Sequence, residues 1–177
     1  MSYDVQVTIA GIAPLLQHRY RFKDELAEKT TKKTGRPDYS EEWKQSLYVD
    51  EKGSIYEPAS HIEGALVRAA GNFQITGKGK ATYRALVRSA VFVAPDAIPL
   101  GKDKPDFIHK ARVIVNRSAV ERLRPAFRVW ELTFTISVID DQLSKEVLQQ
   151  ILEHAGRSQG IGDYRPRYGR FRISRFE

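Results

Sequence analysis

At 177 residues with 41% hydrophobic side chains, the chain has enough apolar material for one domain with a real core, and no apolar run approaches the roughly 18 residues needed to span a bilayer. Lysine and arginine number 29 against 22 acidic residues, a net charge of +7 with a pI near 9.6, which makes a polyanion such as nucleic acid a candidate partner. The absence of cysteine excludes disulfides, thiolate metal sites and cysteine nucleophiles, and four scattered histidines show no ligand spacing, so neither a metal nor another cofactor is expected.

The opening MSYDVQVTIA lacks a basic region ahead of a long apolar run, so a cytoplasmic chain with no leader and no membrane partner is expected. Tyr3, Val5, Val7 and Ile9 alternate with Asp4, Gln6 and Thr8, the period-two pattern of a strand with one buried face. The stretch HRYRFKDELAEKTTKKTGRPDYSEEWKQSLY is too polar and too weakly periodic for a core. It reads as a partly helical surface insertion over about 18–50, basic at Arg19, Arg21, Lys23, Lys29, Lys32, Lys33 and Arg36.

YVDEKGSIYEP predicts a short hairpin turning at Lys52 and Gly53. Ser60 and Glu63 have the S-x-x-E spacing of a capping box, in which each side chain satisfies a backbone donor at a helix start. Ile62, Ala65, Leu66, Ala69, Ala70 and Phe73 follow at helical spacing. GNFQITGKGKAT is a glycine and lysine loop in which Lys78 and Lys80 are placed to meet phosphate. No helix start with Lys-Ser or Lys-Thr follows it, so a nucleotide P-loop is not expected.

YRALVRSAVFVAP and KARVIVN read as strands from their Val, Ile and Phe content, joined by the turn-rich DAIPLGKDKPDF. In RVWELTFTISVID, Trp130, Leu132, Phe134, Ile136 and Val138 face one way and Glu131, Thr133, Thr135 and Ser137 the other. A second helix is expected from about Ser144, with Leu143, Val147, Leu148, Ile151, Leu152 and Ala155 on one stripe and a stop at Gly156. The order strand, helix, two or three strands, helix, strand is the βαββαβ pattern. The expected fold is therefore α+β and ferredoxin-like or RRM-like. Residues 1–177 form one domain, with helices on one sheet face and a basic insertion after strand one.

The chain closes on GIGDYRPRYGRFRISRFE, which follows Arg157 and interleaves Gly160, Gly162 and Gly169 with Arg165, Arg167, Arg170, Arg172 and Arg175. Glycine lets backbone donors approach a phosphate, arginine offers a planar fork to phosphate oxygens, and Tyr164 and Tyr168 offer faces for base stacking. Read structurally instead, Pro166 and the glycines make a tight turn, Tyr168 and Phe171 are core, and the arginines form an exposed strand face. A second cationic cluster, Lys110, Arg112, Arg117, Arg122, Arg124 and Arg128 against Glu121 alone, brings the total to three basic segments and favours a groove.

Among the histidines, His18 stands at the end of strand one beside Arg19 and Tyr20, where an imidazole can act as general base on a ribose 2′-hydroxyl. His61 sits where a helix N-terminus can contact phosphate. His154, in a last helical turn, fits the helix dipole, and His109 has no readable role.

Three stretches, IYEPASHIEGALVRAA, ARVIVNRSAVERLRPAFRVWELTFTISVID and GIGDYRPRYGRFRI, resemble in chain order the helix start, central strand pair and terminal glycine-rich loop of the RAMP superfamily. These are CRISPR-linked proteins with RRM-like folds, and the likeness is to the backbone subunits of effector complexes. Pro58, Ala59, Ser60 and His61 stand where the family carries glycine and a serine pair, and the terminal loop is shorter than in many members. The resemblance implies sequence-independent binding of single-stranded RNA or DNA by a homo-oligomer or a subunit of a nucleoprotein complex, without catalysis. It also leaves room for a metal-independent endoribonuclease using His18, because RAMP processing nucleases often carry a histidine after the first strand. Some backbone subunits cleave with an acidic residue in that same loop; Asp24 and Asp38 both lie there, neither in a recognisable motif. A third reading is an assembly protein whose arginines meet an acidic protein surface.

Overall fold

Alternation in the first strand translates directly into a sheet with one apolar face. In a computed structural model that describes residues 2–20, 41–115 and 117–177, β1 (Tyr3–Gly11) buries Val5, Val7 and Ile9 completely. It pairs antiparallel with β8 (Glu131–Val138), setting Val5 opposite Ile136, Val7 opposite Phe134 and Ile9 opposite Leu132. With β4 (Val91–Ala94) and β9 (Phe171–Phe176) the sheet order is β4-β8-β1-β9, antiparallel throughout.

Two amphipathic helices, α2 (Ala59–Ala70) and α4 (Lys145–His154), pack their apolar stripes into the same core as those strand residues. The opposite sheet face is polar, with Gln6, Glu131, Thr133 and Arg172 exposed and Thr8 bonded to Thr133 through their hydroxyls at 3.0 Å. This mixed α+β arrangement is compatible with a ferredoxin-like or RRM-like fold. No helix among the described residues is long and apolar enough to cross a membrane.

Outside the main sheet, β6 (Phe107–Val115) and β7 (Ser118–Phe127) form a long hairpin, joined at its base by β2 (Leu15–Leu16). The central strand pair of the sequence is thus divided: KARVIVN lies in β6 of this separate sheet, paired to β7, while RVWELTFTISVID supplies β8 of the main sheet. A short pair joins β3 (Tyr56–Pro58), at the end of the predicted hairpin stretch, to β5 (Ala97–Pro99), within what the sequence suggests is connector, and α1 (Glu42–Gln45) is a single turn. The turn at Lys52 and Gly53 forms as expected, closed by a bridge between Val49 and Ile55, with Gly53 at φ 83°.

Three local expectations are corrected. The capping box does not form: Pro58 caps α2, Ser60 is an exposed first-turn residue, and Glu63 Oε1 instead accepts from Val93 N at 3.0 Å. The helix begins directly off β3, with Ala59 N donating to Asp96 O at 2.8 Å, so the S-x-x-E pair is out of register with the true start. YRALVRSA is the helix α3 (Arg84–Ala90) and only VFVA is strand, because Val87 and Ala90 bury at helical spacing that β-branched content masks. Nor does the chain stop turning at Gly156. A π turn (Ala155–Gln159) continues from α4 to Gly160, which takes φ 65°. Gly156 is needed for packing, since a Cβ there would collide with the carbonyl of Phe171 in β9.

Candidate nucleic-acid interface

The terminal loop from Gly160 to Arg170 is seated on the segment after β1 by backbone bonds. Gly169 N donates to Pro14 O at 2.7 Å, Asp163 N to Leu16 O at 2.8 Å, Ile161 N to Gly169 O at 3.0 Å and Ile12 N to Arg170 O at 2.9 Å. Gly162 and Gly169 sit at φ 74° and 71°, and a Cβ on them would collide with the carbonyls of Leu16 and Ile161. These two glycines therefore serve the loop's seat. Phe171 is core as the structural reading expects, whereas Tyr168 is half-buried.

Against this loop lies one face of the hairpin. Strand alternation puts His109, Ala111, Val113, Arg122 and Arg124 on one face and Lys110, Arg112, Ile114 and Glu121 on the other. The first face meets the loop: the His109 ring stands 5.7 Å from Tyr164 and 5.1 Å from Tyr168. Arg124, 5% exposed, donates from Nε to Asp163 Oδ2 at 3.0 Å, and His18 Nδ1 lies 3.5 Å from the same oxygen. Asp163 is the junction of β2, hairpin and loop.

In the same loop Arg165, Arg167 and Arg170 are exposed, with Arg165 Nη1 donating to Gly162 O at 2.9 Å. Tyr164 holds φ 54°, a left-handed conformation uncommon for a side chain of its size. Permanent charge, aromatic faces and backbone turns together present groups suited to phosphates and bases.

A second cluster adjoins the site. The buried carboxylate of Glu57 lies 2.5 Å from His61 Nδ1 and accepts from Gln17 Nε2 at 2.9 Å, while Tyr48 Oη is 3.5 Å from His61 Nε2. Burial first, then the charge of Glu57, raise the Tyr48 phenol above its ordinary pKa. His61, expected to meet phosphate at the helix start, thus has its Nδ1 engaged by Glu57. Arg19 follows His18, and its backbone N donates to Ser46 O at 3.0 Å.

The remaining sequence candidates are not gathered here. Lys110 and Arg112 face away from Arg122 and Arg124, so the central cationic cluster is divided between two hairpin faces. Arg117 is exposed at the hairpin tip with φ 65°. Lys78 reaches Gln142 Oε1 at 2.5 Å, Lys80 is exposed on the same turn, and Arg157 lies 3.7 Å from Glu153. Ser60 lines a groove with Glu63, Val87 and Arg88. His154, at the end of α4, is 3.2 Å from Asn72 Nδ2 and stands edge-on to Phe73. Arg21, Lys23, Asp24, Lys29, Lys32, Lys33, Arg36 and Asp38 lie outside the described residues.

Sequence reasoning missed His109 and Asp163. Asp163 carried a signal, as the single acid in a cationic loop. His109 carried one only once β6 is paired to β7.

No family model matches the chain, and no curated protein matches it. Solved structures do. One is a chain in the cryo-EM structure of the Type III-B Cmr-beta bound to cognate target RNA. The two are 14% identical with a TM-score of 0.59 over 99% of the present chain, a likeness of fold. The present chain spans about 60% of the length of that solved chain.

Proposed function

We propose that this chain binds single-stranded RNA or DNA without sequence preference, as a RAMP-like backbone protein that packs side by side along the strand. The observation that carries the proposal is the meeting of the terminal loop with the basic hairpin face, where His109 lies together with Tyr164 and Tyr168 of a loop whose Arg165, Arg167 and Arg170 are exposed. Stacking on such rings is worth about 1–3 kcal/mol per base and tolerates any base. Support also comes from the fold neighbour, which belongs to an RNA-bound assembly. The sheet order β4-β8-β1-β9 further supports a single ferredoxin-like βαββαβ domain, decorated by the hairpin and the insertion over about 18–50.

Titration with an unstructured oligonucleotide tests the proposal. Binding is expected at low salt for every sequence tried. If no RNA or DNA strand binds, the arginines belong to an assembly surface for an acidic protein.

One observation favours a second reading, metal-independent RNA cleavage. The Asp163 carboxylate beside His18 Nδ1 is placed to orient the imidazole as a base toward a 2′-hydroxyl. Incubation with RNA is expected to leave it intact, with or without divalent metal. Reproducible metal-independent cleavage abolished by His18→Ala would reverse the ranking.

A further inference from the structure

On the helical side of the molecule, Arg68, Gly71, Asn72, Thr82, Arg84 and Gln159 line a cavity of about 380 Å³. No carboxylate is among them. Arg68 comes from the last turn of α2, Arg84 opens α3, and Gln159 ends the π turn. Arg68 Nε is buried and has no hydrogen-bond partner among the described residues, so it carries a desolvation cost.

The two guanidinium groups share this site because position 71 is glycine. A Cβ built on Gly71 would sit 3.1 Å from Arg84 Nε and 3.2 Å from its Nη2. Burial first, and then the charge of Arg165 in the terminal loop, hold the Arg68 pKa below its ordinary value. Asn72, Thr82 and Gln159 add side-chain hydrogen-bond groups around the two charges.

We infer that this cavity is a phosphate-binding site, formed by Arg68 and Arg84 and supplied with hydrogen-bond groups by Asn72, Thr82 and Gln159. Paired guanidinium forks match the geometry and charge of phosphate oxygens. The same chemistry fits a phosphate of a bound strand or a free one, and assignment to a strand rests on the function proposed above.

The test follows the arginine Nε–Hε resonances of the intact chain in phosphate-free, low-salt buffer, with the Arg68 signal identified by its loss in Arg68→Gln. Inorganic phosphate is added first and an unstructured oligonucleotide separately. Phosphate is expected to shift the Arg68 resonance to saturation, with affinity lowered about tenfold or more in Arg84→Gln by loss of a charged hydrogen bond. Gly71→Ala, which keeps both charges and a compatible backbone but crowds Arg84, is expected to weaken phosphate in the same direction.

A resonance that moves with neither ligand, or a phosphate response unaltered in both Arg84→Gln and Gly71→Ala, overturns the inference. If the oligonucleotide binds and shifts the Tyr164 and Tyr168 ring signals while Arg68 stays still under both ligands, the strand-binding reading survives and the phosphate site falls. If phosphate moves Arg68 but no strand binds, the site stands with free phosphate as its ligand and the strand reading falls.

Discussion

Asp163 is the single acid between Gly160 and Arg175, and it accepts from the buried Arg124 while facing His18. Removing it takes one charged hydrogen bond from a guanidinium that is 5% exposed and that also donates to Leu123 O. Asp163→Ala is therefore expected to lower stability by about 1–3 kcal/mol, the cost of a missing charged hydrogen bond, read as a fall in denaturant midpoint at unchanged slope. An unaltered midpoint would mean that Arg124 finds another partner without cost. The neighbouring arginines differ, because they point outward. Arg165→Ala with Arg167→Ala is expected to weaken oligonucleotide binding alike for all sequences and to flatten the salt slope by roughly one unit for each phosphate no longer neutralised. Among the described residues the pair gives up the bond from Arg165 to Gly162 O, at about 1 kcal/mol. Gly162→Val must behave in the opposite way, collapsing thermal stability with or without ligand, because φ is 74° and Leu16 O occupies the space of a Cβ.

The β6–β7 hairpin is held at its base by Asp106, whose Oδ1 accepts from Lys102 Nζ at 3.1 Å and whose Oδ2 accepts from Arg128 N at 2.7 Å. Burial pushes this carboxyl up, but the hydrogen bonds from Lys102 and Arg128 outweigh it and hold the pKa below the ordinary carboxylate value. A carboxyl depressed in the folded state adds stability that is full above its unfolded pKa, near 4, and is lost as pH falls through the folded value. The protection of amides at the hairpin base, corrected for the intrinsic pH dependence of exchange, is expected to fall as pH drops below about 4, and Asp106→Asn to remove that dependence. Equal acid sensitivity in the variant would assign the effect to other carboxylates. The hairpin also shows how pairing sorts charge: Arg112 faces Glu121 on one side while Arg122 and Arg124 turn toward the loop on the other.

At the scale of the whole molecule, a net charge of +7 predicts attraction to any polyanion, and the fold determines where that attraction is concentrated. Affinity for an unstructured strand is expected to fall steeply between about 50 and 200 mM salt as several phosphates release counterions together. A salt slope near zero would show that the exposed arginines of the loop do not engage the backbone.

The strands β1 and β8 and the helix α4 were legible from the chain alone, because alternation with period two and apolar stripes near 3.6 are local properties of consecutive residues. The terminal loop was legible as a cationic, glycine-dependent turn for the same reason. The capping box and the strand expected at YRALVRSA failed because each local pattern fits more than one backbone, and burial against the sheet chose between them. Tertiary structure alone decided that His109 stands over Tyr164 and Tyr168, that Asp163 binds Arg124, and that Arg68 and Arg84 share a cavity. Each of those pairings joins residues separated along the chain, and their proximity depends on which strands and helices pack together, which no single stretch of the chain encodes.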